Sequence, residues 1–533
     1  MIEYDTVVRN ARVIDGTGAP WFDGDVAISD GRIAAVGDVT GSGGTELDAD
    51  GAVVAPGFID IHTHSDFTLP ANRDAHSKVR QGVTLEIVGN CGTSAAPRYG
   101  EGAEDVDEGF AYRGVGEVVD TSAWESMGDY LDHLEGADAG GVSLNVGSLI
   151  GHENARIPVL GYEDREPTAD ELEEMKAIVD EALSDGAVGL STGLIYTPGA
   201  FADTEELVAL AEVVADHDKL YATHMRSEGD EIFEALEEAI EIGDRADVPV
   251  QVSHHKAVGR DNWGKVKYTL ERMRRARDRD GVEIQCEQYP YTASSTSLGA
   301  RLPTWAREGG TDAILDRLTD EETRAEIRDE LEANTDSWDD ILITNVRTSD
   351  LEAVQGQTIA ELAERDGESR SPAEIVIDLL IEDRVRPRHI HFCMRDSDVE
   401  EVMAHELTMI GSDGNSLRPT GPLGDGVPHP RSYGTFPRVL GHYVRERGVV
   451  SLETAVYKMT GQPAARLGLE DRGVLKEGLW ADLTVFDPET VGQGGSFVDP
   501  AVYPDGIHHV LVNGEFVVRS GEHTGARPGV AIR

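Results

Sequence analysis

Basic residues are scarce in this chain of 533 residues: 47 Lys and Arg stand against 100 Asp and Glu, for a formal net charge of −53. So negative a surface repels the phosphates of nucleic acids and of anionic lipids, so both are poor partners. Only eight of the basic residues are lysines. Acid-rich, lysine-poor chains resemble the cytosolic proteins of salt-loving microbes, in which salt screens the self-repulsion of the acidic surface.

Cysteines and long apolar segments are scarce as well. The three cysteines, Cys91, Cys286 and Cys393, are too few for a disulfide framework, which fits a reducing cytoplasm. No apolar run reaches the 18 residues or so of a transmembrane helix, and the acidic first residues lack the layout of a signal peptide. We therefore predict a cytoplasmic protein, with Cys286 and Cys393 in the core; the sequence carries no signal of the oligomeric state.

The middle of the chain alternates apolar strands with helical stretches, a pattern that predicts βα units and a parallel sheet. The candidate strands are Phe58–His62, Thr84–Gly89, Ser143–Ile150, Ala187–Ser191, Leu220–His224, Val248–His254, Val282–Tyr289 and Leu407–Ser412. Eight such strands predict an α/β fold of the TIM type, a (β/α)8 barrel. In that fold the active site lies at the C-terminal ends of the strands.

Both chain ends read as short strands joined by turns, which predicts one small β-sandwich domain made of residues 1–55 and 468–533. The barrel then takes residues 56–467. The connection between strands seven and eight is too long for one βα unit, so we predict an inserted subdomain at about 299–355, with acidic helices such as Asp312–Asn334. The acidic, glycine-rich segment Glu101–Asp120 is predicted to be a surface loop.

Metal-ligand side chains stand at the ends of five predicted strands. They are His62, His64, Cys91, His224, the pair His254 and His255, and Asp413. The two-residue period of a strand places His62 and His64 on one face. Imidazoles, a thiolate and a carboxylate together suit zinc, so we predict a metal centre at this rim. His389 and His391 also alternate, but we expect them to be solvent-facing strand residues of the insertion.

The segment Val54–His64, with the sequence VAPGFIDIHTH, resembles the first-strand signature of the amidohydrolase superfamily. Further matches narrow the resemblance to the N-acyl-D-amino-acid deacylase (D-aminoacylase) family: GNCG at 89–92, THMRSE at 223–228, VSHHK at 252–256 and GSDG at 411–414. Many binuclear relatives use a carboxylated lysine from strand four as a metal bridge. Strand four has no lysine here, and Cys91 is the expected substitute.

The resemblance implies zinc-dependent hydrolysis of the amide bond of N-acyl-D-amino acids. Cys91, His224 and His254 would hold one tightly bound zinc ion, and His62, His64 and Asp413 would form a second, weaker position. The Ser-His-x-Lys pattern places the ligand at His254, and alternation then turns His255 outward. Asp413 would also carry the proton from the attacking water to the leaving nitrogen.

The implied substrate is a small molecule with a carboxylate. Lys256 stands two residues after His254 and so faces the same way, and Arg431 follows strand eight, where it could grip a carboxylate. Three more candidate substrate-binding residues are Tyr196, Tyr289 and Ser295. Glu228 is expected to pair locally with Arg226 or with the following helix.

The acyl group and the D-side chain are not set by the sequence. Two alternatives stay open. One is another amide hydrolase of the superfamily, such as a hydantoinase, a dihydroorotase or a dipeptidase. The other is an assembly protein that has lost its metal.

Overall fold

The computed structural model of the protein describes residues 2–100, 102–136, 140–367 and 369–533. Its centre is a barrel of parallel strands, numbered here one to eight in chain order. They are Phe58–Asp60, Val83–Val88, Asn145–Ser148 with its continuation Ile150–Gly151, Gly189–Gly193, Leu220–His224, Val250–Val252, Ile284–Gln288 and Thr408–Ile410. Every predicted strand is present, and the predicted (β/α)8 fold is confirmed.

The barrel closes between its first and last strands. The Asp413 amide donates to the carbonyl of His62 at 2.8 Å, and Thr63 bridges to Gly414. Closure brings the segment after strand eight beside the segment after strand one. The two halves of the predicted metal site are therefore neighbours in space, although about 350 residues separate them in the sequence.

The barrel interior is apolar below the strand ends. Ile59, Leu85, Leu149, Leu220 and Met409 are buried there in one cluster. Such side chains fill a small barrel completely, so the lower interior is a packed core and not a channel. The polar side chains of the candidate site lie above this core, at the upper rim.

Helices form the outer layer and connect the strands. The described helices of the barrel are His76–Val79, Gly102–Tyr112, Met127–Glu135, His152–Leu160, Ala169–Ser184, Thr204–Asp216, Ile232–Ala246, Val266–Arg275, Asp396–Ala404, Arg431–Arg438, Leu452–Met459 and Gly461–Arg466. Ala169–Ser184 shows why such segments become helices. Thr168 and Glu171 form a reciprocal capping box at its start, and Met175 and Val179 bury its inner face. None of the helices that the structure describes has both the length and the apolar character that crossing a bilayer requires.

The two chain ends meet in one small β-domain. Its strands are Ile2–Val13, Phe22–Ser29, Arg32–Gly37, Ser42–Asp48, Val53–Pro56, Leu483–Phe486, Ile507–Val512, Glu515–Arg519 and Glu522–His523. They pair into one continuous sheet in which Val53–Pro56 lies between Ile2–Val13 and Leu483–Phe486. Val8, Val26, Val54, Leu483 and Leu511 form its own apolar core.

An inserted subdomain separates strands seven and eight. Its strands are Ser294–Ser297, Ile341–Asn345 and Arg388–His391, and its helices are Gly310–Thr319, Glu321–Ala333, Ile359–Arg365 and Pro372–Glu382. The subdomain begins earlier than residue 299 and continues well beyond 355, because Arg388–His391 is the middle strand and pairs with both others. Its separate apolar core runs from Leu298 to Leu380.

The prediction of a loop at Glu101–Asp120 was wrong for most of the segment. Glu101 lies outside the described residues, and Gly102–Tyr112 is a helix. Val106 and Phe110 are buried on one face of this helix, four residues apart, and Phe110 packs against Phe67 with ring centroids 5.1 Å apart. The acidic residues lie on the other face. The loop was predicted from the acidic composition of the segment, which does not reveal the helical spacing of its few apolar residues.

Candidate metal centre and active-site cavity

All six predicted metal donors meet at the C-terminal rim of the barrel. The thiol sulfur of Cys91 lies 3.5 Å from Nε2 of His62 and 3.4 Å from Nε2 of His254. That nitrogen of His254 is 2.9 Å from Nδ1 of His224, and Nε2 of His64 is 3.0 Å from Oδ1 of Asp413. The predicted tight set of Cys91, His224 and His254 forms a buried group whose donor atoms lie within 4.8 Å of one another.

Three of these donors stand on left-handed backbone. The φ angles are +57° at Cys91, +37° at His254 and +51° at Asp413. Residues with a side chain seldom adopt this conformation, which costs on the order of 1–2 kcal/mol at each position. Each of the three closely follows the end of a barrel strand. The fold holds this strain where the chain turns the donor atom into the site.

Glu287 fixes two of the imidazoles from beneath. This buried carboxylate accepts from Nδ1 of His62 and from the backbone amide of His254, both at 2.6 Å, and also from the side chain of Gln251. Donation from Nδ1 leaves the lone pair of His62 on Nε2, the nitrogen that faces Cys91 and Asp413. Such outer carboxylates set the tautomer and the orientation of metal-binding histidines.

The electrostatics of four of the six donors favour the forms that bind a cation. Burial lowers the pKa of His224 and of His254 well below the usual value and that of His64 to about 4, which keeps these imidazoles neutral. Burial opposes ionisation of Asp413, but Arg431 and His64 still hold its pKa well below the usual range. Neutral imidazoles, a carboxylate and one sulfur at this spacing fit a zinc ion.

The other two donors are His62 and Cys91. Burial alone would lower the pKa of His62, but Cys91 and Glu287 raise it well above the usual value, and burial raises the pKa of the Cys91 thiol. A metal bound by these two side chains would have to displace a proton from each.

A main cavity of about 920 Å³ opens above the donors. Lys256, Tyr196, Tyr289 and Ser295 all line it, as does the donor His224. The Lys256 ammonium lies 2.8 Å from Nδ1 of His254, and the Tyr196 hydroxyl lies 2.9 Å from that of Thr296. The volume is in the range of sites that enclose a small organic molecule.

Arg431 lies behind Asp413 rather than on the wall of the main cavity. It donates to Oδ2 of Asp413 at 2.7 Å and to the carbonyl of Ser295 at 3.0 Å, and it stacks on the ring of Tyr289. Its other surroundings form a side chamber of about 80 Å³, which Ser295 connects to the main cavity. Arg431 is thus a partner of Asp413 and a wall residue of the side chamber.

Two acidic residues of the site were not assigned from sequence. The prediction for Glu228 was wrong: it pairs with Lys256 and lies 2.9 Å from Nδ1 of His254, whereas Arg226 pairs with Glu238. Glu287 is the other. It precedes Tyr289 by two positions on strand seven, so the strand period that placed His62 beside His64 could have located it on the inner face.

The prediction of solvent exposure for His389 and His391 was also wrong. Both line the main cavity, and only 3% of His389 is exposed. The reason is tertiary, because the inserted subdomain lies over the barrel rim and turns its middle strand toward the site. By contrast, the core positions predicted for Cys286 and Cys393 are confirmed, and His255 faces outward, with Nε2 2.8 Å from the Thr269 hydroxyl.

Comparison with known proteins agrees with this geometry. Residues 45–518 match the model of an amidohydrolase family. The chain is 37% identical to a D-aminoacylase of Alcaligenes xylosoxydans xylosoxydans, over 99% of this chain and 97% of that protein.

Two solved structures are similar to the protein over nearly its whole length. One is an N-acyl-D-glutamate deacylase from Bordetella bronchiseptica in complex with zinc and a phosphonate inhibitor that mimics the tetrahedral intermediate. It has a TM-score of 0.82 and 36% identity, with 99% of each chain covered. The other is a D-aminoacylase described for one-metal activation and second-metal attenuation at its binuclear centre. It has a TM-score of 0.82 and 37% identity, covering 99% of this chain and 100% of that one. The chain therefore belongs to the amidohydrolase family, in the group that contains D-aminoacylase and N-acyl-D-glutamate deacylase.

Proposed function

We propose that this protein is a zinc-dependent hydrolase that cleaves the amide bond of N-acyl-D-amino acids, releasing a carboxylate and a free D-amino acid. One observation carries the proposal: the six donors, among them a cysteine that follows strand two, gather at the floor of a large cavity whose wall includes the Lys256 ammonium, paired there with Glu228. The group to which the chain belongs acts on this class of amide.

Cys91, His224 and His254 are the residues that we propose for the tightly held zinc. His62, His64 and Asp413 would provide a second, weaker position. Zinc, when bound, supplies a Lewis acid beside the scissile carbonyl and lowers the pKa of water toward neutrality. The neutral imidazoles of His64, His224 and His254 support this assignment, as does the carboxylate of Glu287, which fixes the positions of His62 and His254.

Asp413 is the proposed proton carrier. Its carboxylate lies between His64 and Arg431, and its depressed pKa supports an ionised group that can accept a proton from the attacking water. Delivery of that proton to the amide nitrogen makes the amine a good leaving group. Arg431 orients this carboxylate through its hydrogen bond to Oδ2.

Lys256 is proposed to bind the substrate carboxylate, with Tyr196, Tyr289 and Ser295 orienting the substrate. The position of Arg431 next to Ser295 supports a share in this binding from the side-chamber wall. We propose the cytoplasm as the compartment, since three buried free thiols fit reducing conditions.

The test of the function measures amine release from paired N-acetyl-D- and N-acetyl-L-amino acids in molar salt. The panel is methionine, leucine, phenylalanine, glutamate and aspartate, with and without a zinc chelator. We expect release from D-substrates only, abolished by the chelator and restored by zinc. Hydrolysis of hydantoin, dihydroorotate or a D-dipeptide instead would favour the other amide hydrolases, and a purified chain that holds no zinc would favour an assembly protein.

Two cysteine variants distinguish a metal ligand from a core residue. Cys91→Ala removes a proposed ligand, so we expect less than about one-tenth of the activity and a clear loss of zinc per chain. Cys286→Ala is the matched control, because Cys286 is also a buried thiol, but it lies on strand seven with its sulfur 3.4 Å from the Thr408 hydroxyl and packs in the apolar core. Equal zinc content in the two variants would contradict the ligand role of Cys91.

A further inference from the structure

Three arginines converge where the main cavity meets the side chamber. Arg113 follows the helix Gly102–Tyr112, Arg347 follows the strand Ile341–Asn345, and Arg388 begins the strand Arg388–His391. Arg113 and Arg388 line both spaces, and Arg347 lines the side chamber. We call these three residues the arginine cluster.

Aromatic rings and backbone carbonyls hold this cluster, not carboxylates. The Arg113 guanidinium stacks 4.1 Å above the Phe67 ring, and that of Arg388 lies 5.2 Å from the Tyr112 ring. Arg347 donates from Nε to the Tyr112 carbonyl at 2.9 Å. Across the described ranges, no carboxylate oxygen lies within 4.0 Å of any of these three guanidiniums.

Missing carboxylates are unexpected in this chain, in which Asp and Glu outnumber Lys and Arg by 100 to 47. Burial, with repulsion from Arg388 and Arg347, lowers the pKa of Arg113 to about 10 even though Asp66 opposes the shift. Asp66 is buried near Arg113, but neither of its carboxylate oxygens has a hydrogen-bond partner among the described residues. Asp425 lies at the chamber rim and is exposed. The buried carboxylate of Asp383 lies beside Arg347, but it accepts from the backbone amides of Arg347 and Thr348 and not from a guanidinium of the cluster. Among the described residues, the three guanidiniums therefore have no direct carboxylate partner.

The side chamber also has the polarity and the size for a small anion. Asn345, Asn415 and Thr344 line it beside the arginines. About 80 Å³ is room for a carboxylate and one or two waters, since a water takes about 30 Å³. Guanidinium groups recognise carboxylates by paired, charge-assisted hydrogen bonds.

We propose that Arg113, Arg347 and Arg388 form a subsite for a second carboxylate of the substrate, distinct from its α-carboxylate. This inference rests on the proposed function and names its substrate class: N-acyl-D-amino acids with an acidic group on the side chain or on the acyl chain. Arg431 joins the subsite to the site of reaction, because it lines the chamber and hydrogen-bonds Asp413.

The test compares kcat/KM of the zinc-loaded enzyme for two matched pairs. The side-chain pair is N-acetyl-D-glutamate and N-acetyl-D-glutamine; the acyl pair is N-succinyl-D-leucine and N-succinamoyl-D-leucine. We expect the acid to exceed its amide by about tenfold or more in one pair, and that pair identifies which end of the substrate enters the chamber. Arg347→Gln and Arg388→Gln should each lower kcat/KM for the acid by a much larger factor than kcat/KM for the amide, and so remove most of this advantage.

Arg519→Gln is the control, because Arg519 is exposed on a strand of the terminal sheet, far from both cavities. It should keep the full preference for the acid. N-acetyl-D-leucine, which lacks a second carboxylate, reports on the proposed function separately.

Several results would overturn the inference while N-acetyl-D-leucine is still cleaved. They are an equal rate for acid and amide in both pairs, a preference that survives both variants, or a loss that is the same for acid and amide. Failure to cleave any of the N-acyl-D-amino acids would overturn the proposed function and this subsite with it.

Discussion

One carboxylate holds two of the imidazoles at the rim. Glu287 binds the ring of His62 and the backbone of His254, so a shift of strand seven would move donors that come from strands one and six. Lys78 does similar work nearby: it is fully buried and donates to Asp60 and to Ser412, the residue before Asp413. Donor geometry at this rim thus depends on buried charges that never touch the cavity.

At the same scale, Asp413→Ala separates proton transfer from metal binding. We expect kcat to fall by about 10²- to 10⁴-fold, the usual contribution of a positioned acid–base group. One zinc ion per chain should remain, because Cys91, His224 and His254 are unchanged. Metal analysis and steady-state kinetics check both points, and Asp499→Ala, at an exposed loop carboxylate, is the control for loss of one charge. Near-wild-type kcat in Asp413→Ala would contradict the shuttle role.

Among the elements, the turns after the barrel strands decide where the donors point. The turn after strand two contains Gly92, with φ at +87°, and an added Cβ there would stand 2.7 Å from the backbone nitrogen of Gly193. Cys91 lies directly before it, with its own backbone left-handed. The position of the sulfur is thus set by close contact between the turns of strands two and four.

Gly92→Ala is therefore expected to displace Cys91 and to lower both zinc content and activity several-fold. Gly478→Ala is the matched control: its φ is +89°, as unfavourable for alanine as that of Gly92, but nothing lies within 4 Å of its added Cβ. Zinc per chain and kcat, measured for both variants, isolate the contact from the backbone strain. Full zinc and full activity in Gly92→Ala would show that the contact is not needed.

The barrel strands were predictable because buried parallel strands read as short apolar runs, and the donors because they follow those strands directly. The part of the site that comes from the insertion was not. His389 and His391 face the cavity because a whole subdomain lies over the rim, and no local pattern encodes that placement. Glu228 likewise pairs with Lys256, 28 residues away in the sequence, and not with its neighbour Arg226.

For the molecule as a whole, the net charge of −53 makes electrostatic repulsion the dominant long-range interaction. Surface ion pairs such as Arg245 with Glu205 and Arg447 with Glu400 neutralise some of the carboxylates. Each exposed pair contributes only about 0–1 kcal/mol, and acidic residues outnumber basic ones about two to one. Repulsion among the unpaired carboxylates therefore outweighs these pairs when salt is low.

We expect the melting temperature to rise when NaCl increases from about 0.1 M to 2 M, because the screening length falls from about 10 Å to below 3 Å. Differential scanning calorimetry of the zinc-loaded protein measures this rise. Sucrose at matched osmolality is the control, since it stabilises by exclusion from the surface without screening charge. A melting temperature that is constant or falling in NaCl would contradict the charge argument.

The sheet that unites both chain ends also sets an order of assembly. Val53–Pro56 pairs on one side with Ile2–Val13, but its other partner, Leu483–Phe486, is synthesised only after residues 57–482. During that interval the early strands expose an unpaired edge, which is a template for pairing with another nascent chain. The C-terminal strands thus complete the sheet last. Until they are synthesised, the edge of Val53–Pro56 can pair with another copy of the chain, so we expect incomplete chains to need protection from association.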